Sequence, residues 1–486
     1  SCHCNELVSL HNRHLLDKSH IPFNTKMYET IAKATEKFYP TDLKPCRYTD
    51  VINDYTGKKK SMYIKALEEL KAFGLQDKDC VVRMFVKPDK IAAEDIADKA
   101  PRAIQYRSPK YNLEVLRYVK AFEHAVYPNV TLGNHSNTRA IVKGMNNHER
   151  AQLLLDKSSH YAKPYYCLVD HSKFDSTVNL KHLKMTHRKY KRAFKSKHLA
   201  KLMLKQLKNL CYTKSGIKYK TTATRMSGDP DTGLGNSIVN GDTLFGWLLL
   251  SGITKYDIML DGDDSIIIIE QTEVHKLDNS LFGQLGFETK FEGTTDIHKA
   301  EFCRSRFVAK PYPNMIRDPR RVISSTMVCL NNYPPHRMKD WLSAVGMCEM
   351  ACNNGTPVLS TLGRALKAKS KTQLFDSDTR WRMDHYSMNT PELPVTIESR
   401  LEFEAAWGID VNTQMVLEQE LLSTNKDSFL QTRISAYRYN KNKLTKTNLQ
   451  RKYTAQLVLR RKVYWNTRAA YNALPINNSL WWCDGS

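Results

Sequence analysis

The sequence predicts an α+β chain in which short strands alternate with longer helical segments, two of the strands joined as an antiparallel hairpin. Three observations carry this. Tyr256 to Glu270 holds two apolar runs, Ile258-Met259-Leu260 and Ile266 to Ile269, around the tight acidic turn Gly262-Asp263-Asp264, which is a β-hairpin signal. Short apolar runs at Val81 to Val86 and at Tyr165 to Val169 read as further strands, the second ending at Asp170. Helix-length segments make up much of the rest: Asn112 to Tyr127 is amphipathic, Leu234 to Leu250 follows a loop containing Gly and Pro, and most of 311–486 has helical character. Phe302 to Val308 reads as one more short strand.

The 486 residues are more than one compact core usually holds, so several domains or subdomains are expected. A hydrophobic fraction of 41% is enough to fill them. The formal net charge of +24 points to a polyanionic partner, nucleic acid or an anionic membrane. The most apolar run, Leu244 to Ile253, is too short to span a bilayer, and no signal peptide is visible. The chain starts at Ser1 without Met, as a fragment or processed product would. Eleven scattered cysteines form no disulfide framework, which suits a reducing compartment. Cys2-His3-Cys4 is half a zinc site with nothing nearby to complete it, and Cys348 and Cys352 read as buried on one helix face. Near the end, Arg433, Arg438, Lys441, Arg451, Lys452, Arg460 and Arg461 interleave with Tyr437, Tyr439, Tyr453 and Trp465. Such a mixture can track phosphates and stack on bases, although a charge run is also a common solvated tail.

The chemistry concentrates in three segments. Gly262 gives the hairpin turn its freedom and places Asp263 and Asp264 at a rigid tip. Asp170 ends a strand in Val169-Asp170-His171-Ser172-Lys173-Phe174-Asp175, where the plain alternative is a helix N-cap. Carboxylates from separate segments are what a site for two divalent cations needs. Between them, Ser227-Gly228-Asp229-Pro230-Asp231-Thr232-Gly233-Leu234-Gly235-Asn236 is a polar loop entering a helix, able to approach a nucleic-acid backbone.

In this order the segments resemble motifs A, B and C of viral RNA-dependent RNA polymerases of positive-strand RNA viruses, in the tombusvirus-like group. Asp170-x4-Asp175 resembles motif A, Ser227-Gly228, Thr232 and Asn236 motif B, and Gly262-Asp263-Asp264 motif C. Upstream, Phe85-Val86-Lys87 with Pro101 to Asn112 resembles motif F, and Tyr55 to Lys59 the template-entry motif G. Downstream, Gly286 to Lys290 resembles motif D and Phe302 to Ser305 motif E. The sequence departs from the group at Asp229-Pro230-Asp231-Thr232-Gly233, where Gly233 lacks the usual hydroxyl, and at Asp261, where Asn is common.

The resemblance implies a right-hand polymerase fold of fingers, palm and thumb, with a small antiparallel palm sheet flanked by helices. Residues 1–165 would form fingers and an N-terminal extension. The palm would be 166–186 and 226–310, with a fingers insertion at 187–225 whose Lys191, Arg192, Lys195, Lys197, Lys201, Lys205 and Lys208 suit template phosphates. The thumb and basic C-terminal region would be 311–486. Asp170, Asp263 and Asp264 would hold two Mg²⁺ or Mn²⁺ ions and, with Lys290 as proton donor, carry the chemistry; Lys299 is a rival for that role. Lys87, Arg102, Arg107, Asp175, Ser227, Thr232 and Asn236 would bind the incoming NTP, Asp175 and Asn236 by its 2′-hydroxyl. Lys58, Lys59, Gly228, Arg304 and Ser305 would contact RNA. Cys303 reads as core packing, and Asp261 lies outside the metal set. The implied partners are RNA template and product, NTPs and other viral replication proteins. The implied place is a membrane-associated replication complex in the host cytoplasm, attached through another region or partner. Two rivals remain: a reverse transcriptase, which usually has an aromatic residue before the acidic pair, and a basic RNA-binding protein without catalysis.

Overall fold

The computed structural model describes residues 3–15, 17–90, 99–331, 333–386 and 391–423. The basic aromatic run from Arg433 onward and Cys2 of the half zinc site lie outside the described residues.

The central sheet has the order β6-β7-β3-β8, formed by β3 (Pro164–His171), β6 (Tyr256–Asp261), β7 (Asp264–Glu270) and β8 (Thr289–Thr294), with every pairing antiparallel. The run Ile266 to Ile269 is apolar throughout because β7 is covered on both faces. Ile267 and Ile269 join Cys167, Val169, Ile258 and Leu260 in a core shared with Leu234, Ile238 and Trp247 of the long helix Thr232–Leu250. Ile266 and Ile268 join Tyr166 and Met259 on the opposite face, against Ala151 and Leu154 of the helix Asn147–Ser159 and against Phe302, Phe307 and Met315. The alternation of one strand thus serves two cores.

A second sheet, β2-β1-β4-β5, contains β1 (Val82–Val86), β2 (Ala103–Tyr106), β4 (Lys208–Thr213) and β5 (Lys218–Thr222). Its parallel β1–β4 pairing draws the 187–225 segment back onto the early chain. Leu7 and Leu10 of the N-terminal helix His3–Arg13 pack on this sheet beside Val82, Met84, Ala103 and Met226.

The single strand expected over Phe302 to Val308 is instead a tight hairpin of β9 (Glu301–Phe302) and β10 (Ser305–Val308), with β11 (Asn314–Arg317) completing a three-stranded sheet. The turn residues Cys303 and Arg304 have φ of 50° and 59°. Both central residues are left-handed, as in a type I′ turn, without the Gly or Asn that usually signals it. Beyond it, the helices Pro335–Cys352, Leu359–Lys367, Ile397–Trp407 and Val411–Ser423 enclose a separate core around Trp341, Leu362 and Phe403. Cys348 and Cys352 are buried on the first of these helices, as expected. Among the described residues no helix is long and apolar enough to cross a membrane.

Candidate active site

The acidic hairpin tip follows from its register. Asp261 and Asp264 pair directly, so Gly262 and Asp263 form a two-residue turn. Gly262 alone of the two has positive φ, at 70°, the requirement of a type II′ turn. Val169 of β3 pairs with Ser265, and continuing that register by one residue sets Asp170 across from Asp264. On its other side Asp170 pairs with Lys290 of β8. Directly paired residues share a sheet face, so Lys290 stands on the face of Asp170, exposed and ion-paired to Glu292 at 3.2 Å. Its rival Lys299 donates to the carbonyl of Ala405 and is thereby held by the C-terminal helices.

Asp263 is solvent-accessible but surrounded by protein, and its carboxyl is pushed up to about 6 by desolvation and by the facing charges of Asp175, Asp264 and Asp170. Asp264 is raised by desolvation and by Asp261, against the opposing pull of Arg304. Asp170 raises both carboxyls, beside neighbours particular to each. Asp261 is engaged elsewhere: Lys143 Nζ lies 2.9 Å from one of its oxygens and Arg150 Nη2 2.5 Å from the other. Despite burial, these cations hold its carboxyl below the usual range.

The helix Thr232–Leu250 ties the acidic segments together. Asn236 Nδ2 donates to Asp175 Oδ1 at 2.7 Å. One turn on, Asn240 Nδ2 donates to the carbonyls of Gly262 and Asp263 at 3.1 and 3.2 Å. Ser237 Oγ accepts from Gly262 N at 3.1 Å. Asn240 Oδ1 meets His171 Nε2 at 3.2 Å, and His171 Nδ1 meets Thr289 Oγ1 at 2.7 Å. Sequence reading found Asn236 but missed Ser237 and Asn240. The available signal was a pair of asparagines four apart on an otherwise apolar helix, hence on one face.

A second omission is Arg13, the last residue of the N-terminal helix. It is half-buried, its charge faces Asp175 and Asp263 beside Arg102, and desolvation lowers its pKa. Arg102 makes a two-point ion pair with Asp89 at 2.6 and 2.9 Å, and its charge also reaches Asp263. Lys87 stands 3.6 Å from the same Asp89 and is exposed. Lys58 and Lys59 are exposed at the start of the helix Gly57–Phe73, with the Lys59 ammonium 4.4 Å from the centre of the Tyr55 ring.

One site assignment needs correction. Arg107 is fully buried: Nε and Nη2 hold Asp229 at 2.8 and 3.2 Å, while Nη1 and Nη2 also donate to Cys80 O, Lys205 O and Asn209 Oδ1. All five guanidinium donors are occupied inside the protein, so none remains for a triphosphate. Ser305 is 4% exposed within β10. Three further residues have internal work. Ser227 Oγ donates to Ala103 O at 3.1 Å, and Thr232 Oγ1 bonds the Met226 and Asp229 carbonyls at 2.8 Å. Gly228 N donates to Gln105 O at 2.7 Å, and a Cβ there would stand 2.5 Å from that oxygen. The loop thus lies directly on β2. Arg304 is exposed beside Asp264, and Cys303 packs under the central sheet as expected. Of the 187–225 cations, Lys195, Lys205 and Arg192 are ion-paired, whereas Lys191, Lys197, Lys201 and Lys208 are exposed.

The sequence profile of the family described as "Viral RNA dependent RNA polymerase" matches residues 6–428. The chain belongs to that family. The RNA-directed RNA polymerase of Tobacco necrosis virus (strain A) is 31% identical over 396 residues, covering 77% of this chain and 53% of the relative. Those of Groundnut rosette virus (strain MC1) and Tomato bushy stunt virus (strain Cherry) are each 30% identical, over 77% and 80% of this chain and 46% and 49% of theirs. The chain spans about half the length of the curated relatives it matches. For this member of the viral polymerase family, the all-oxygen donor set of Asp170, Asp263 and Asp264 suits a hard cation such as Mg²⁺ or Mn²⁺. The Asp263 carboxyl is raised first by desolvation and then by the neighbouring acids, both of which a bound cation would offset. Among the described residues no three His, Cys, Asp or Glu side chains already stand as a metal-binding group.

Proposed function

We propose that this chain is an RNA-dependent RNA polymerase that extends an RNA 3′ end from NTPs on a positive-strand viral genome. The observation that carries it is the convergence of four carboxylates, Asp170, Asp175, Asp263 and Asp264, with Asn236 fixed on Asp175. The same reading gives the chain a right-hand arrangement. The palm would be 166–186 and 226–310, the fingers 1–165 with the insertion 187–225, and the thumb 311–486.

Asp170 and Asp263 would hold two Mg²⁺ or Mn²⁺ ions, with Asp264 assisting. When bound, such ions make the 3′-hydroxyl more acidic and neutralise charge on the departing pyrophosphate. Arg13, Arg102 and Lys87 would supply positive charge to the triphosphate. Asp175 Oδ1 is occupied by Asn236, and its other oxygen takes no protein hydrogen bond among the described residues, leaving an acceptor for a ribose 2′-hydroxyl. Lys290, which pairs with Asp170 across the sheet, would give a proton to pyrophosphate. Lys58, Lys59, Arg304 and the Gly228 loop border the RNA path in this reading. Other viral replication proteins, and membrane attachment through another region or partner in the host cytoplasm, complete the expected setting.

Primer extension with Mg²⁺ on a homopolymer RNA template tests the activity. Incorporation by the wild type and its loss in a folded Asp263→Ala chain are expected. Wild-type-like incorporation by that variant would sink the metal assignment, and preference for dNTPs would favour a reverse transcriptase.

A further inference from the structure

Arg225 lies just before the polar loop and is buried, with 2% side-chain exposure. It touches both halves of the sugar-reading pair. Its backbone N donates to Asp175 O at 2.8 Å, and its Nε donates to Asn236 Oδ1 at 3.2 Å. Nη1 donates to Asp231 Oδ2 at 2.9 Å. Asp231 is itself fixed from the 187–225 segment, by Gln206 Nε2 at 2.9 Å on Oδ1 and Tyr190 Oη at 3.4 Å on Oδ2. Gln206 Oε1 in turn meets His187 Nε2 at 2.9 Å.

An asparagine amide has one accepting and one donating end, and a half-turn exchanges them. Here the accepting end meets a guanidinium and the donating end meets a carboxylate. The flipped amide would set NH₂ against Arg225 and oxygen against Asp175, unfavourable at both ends. We infer that Arg225 is a positioning residue for sugar selection, locking the Asn236 amide so that Asp175 keeps one oxygen oriented toward the ribose 2′-hydroxyl. This rests on the reading of Asp175 and Asn236 as the sugar readers. The guanidinium spans Asp231 and Asn236 at once through its planar fork, which a lysine ammonium cannot reproduce.

The geometry supplies a second way to move Arg225 without changing any polar group. Nη2 has no hydrogen-bond partner and lies against Gly235, where an added Cβ would be 2.3 Å from Nη2 and 2.6 Å from Cζ. Gly235→Ala therefore displaces the guanidinium while leaving Arg225, Asn236 and Asp175 chemically intact.

The test compares kcat/KM for an NTP and its 2′-deoxy counterpart in the wild type, Arg225→Lys, Gly235→Ala and Asn236→Ala. Arg225→Lys and Gly235→Ala should each lower the NTP/dNTP ratio by about tenfold, the order expected when a site built to hydrogen-bond a hydroxyl is mispaired. The loss should fall on the NTP's KM, with dNTP use little changed. An equal fall for both substrates would mark Arg225 as merely structural and overturn the inference. If Asn236→Ala lowers the ratio while the other two keep it, the Arg225 inference alone fails. If Asn236→Ala keeps the ratio, the sugar reading fails and the inference with it. Should Arg225→Lys not fold, Gly235→Ala decides between these outcomes.

Discussion

Asp263 is desolvated and faces the charges of Asp175, Asp264 and Asp170, and its titration follows. Its carboxyl has an ordinary value of 3.8 and lies at about 6 in the folded chain. Because the folded value is raised, the folded state binds this proton more tightly than the unfolded chain does. Without a divalent cation, the group's contribution to stability therefore falls as pH rises from 3.8 through about 6 and stays low above that. Asp263→Asn should be more stable than the wild type above this window in EDTA, and equal to it below 3.8, in parallel thermal melts. Saturating Mg²⁺ should erase the difference by stabilising the wild type. Mg²⁺ affinity should itself drop as pH falls below about 6, since the cation then displaces a proton. At the same scale, Asn236→Asp places a second carboxylate against Asp175. Discrimination against dNTPs should relax by about tenfold or more, read as the NTP/dNTP ratio of kcat/KM. The acidic residues were legible in the sequence because strand ends and a Gly turn announce where carboxylates project. Arg107 was misread because its partner Asp229 is 122 residues away, and a lone basic residue on a page carries no sign of its burial.

Among the elements, the helix Thr232–Leu250 does more than the loop before it suggested. Its length and apolar faces were readable, since a helix covering a sheet must be apolar over most of its surface. Its polar face was only half readable. Asn240 acquires meaning from the 262–263 carbonyls and His171, contacts that exist only once β3 and β7 are paired. Asn240→Leu should cost about 1–3 kcal/mol in denaturant unfolding, because buried His171 loses a partner. It should also slow incorporation, by loosening the Gly262–Asp263 turn. A variant that unfolds earlier but incorporates at the wild-type rate would show that the turn holds itself. The β9–β10 hairpin was the least legible element, since left-handed Cys303 and Arg304 carry none of the residue types that mark such turns.

For the whole molecule, the second sheet, the 187–225 segment and the polar loop meet at Arg107. Its guanidinium joins Cys80, Lys205, Asn209 and Asp229. Breaking one side of such a buried pair costs about 3–5 kcal/mol, because the other charge is left uncompensated. Arg107→Met should therefore unfold at markedly lower denaturant, and Arg107→Met with Asp229→Asn should recover a large part of the loss. A change in NTP affinity with unchanged stability would restore the phosphate-binding role. The overall α+β character was legible from strand and helix patterning, but the parallel β1–β4 pairing that closes this region was not. Pairing across so long an interval leaves no local mark in either strand.

The helix Thr232–Leu250 reaches Asp175 through Asn236 and the acidic turn through Ser237 and Asn240, within two helical turns. A rigid rod gripping both points moves them as one body. In the polymerase reading, copying fidelity and copying speed then share a single mechanical part. Substitutions or bound molecules that tilt the rod would shift error rate and replication rate together, so selection on either trait would be felt by the other.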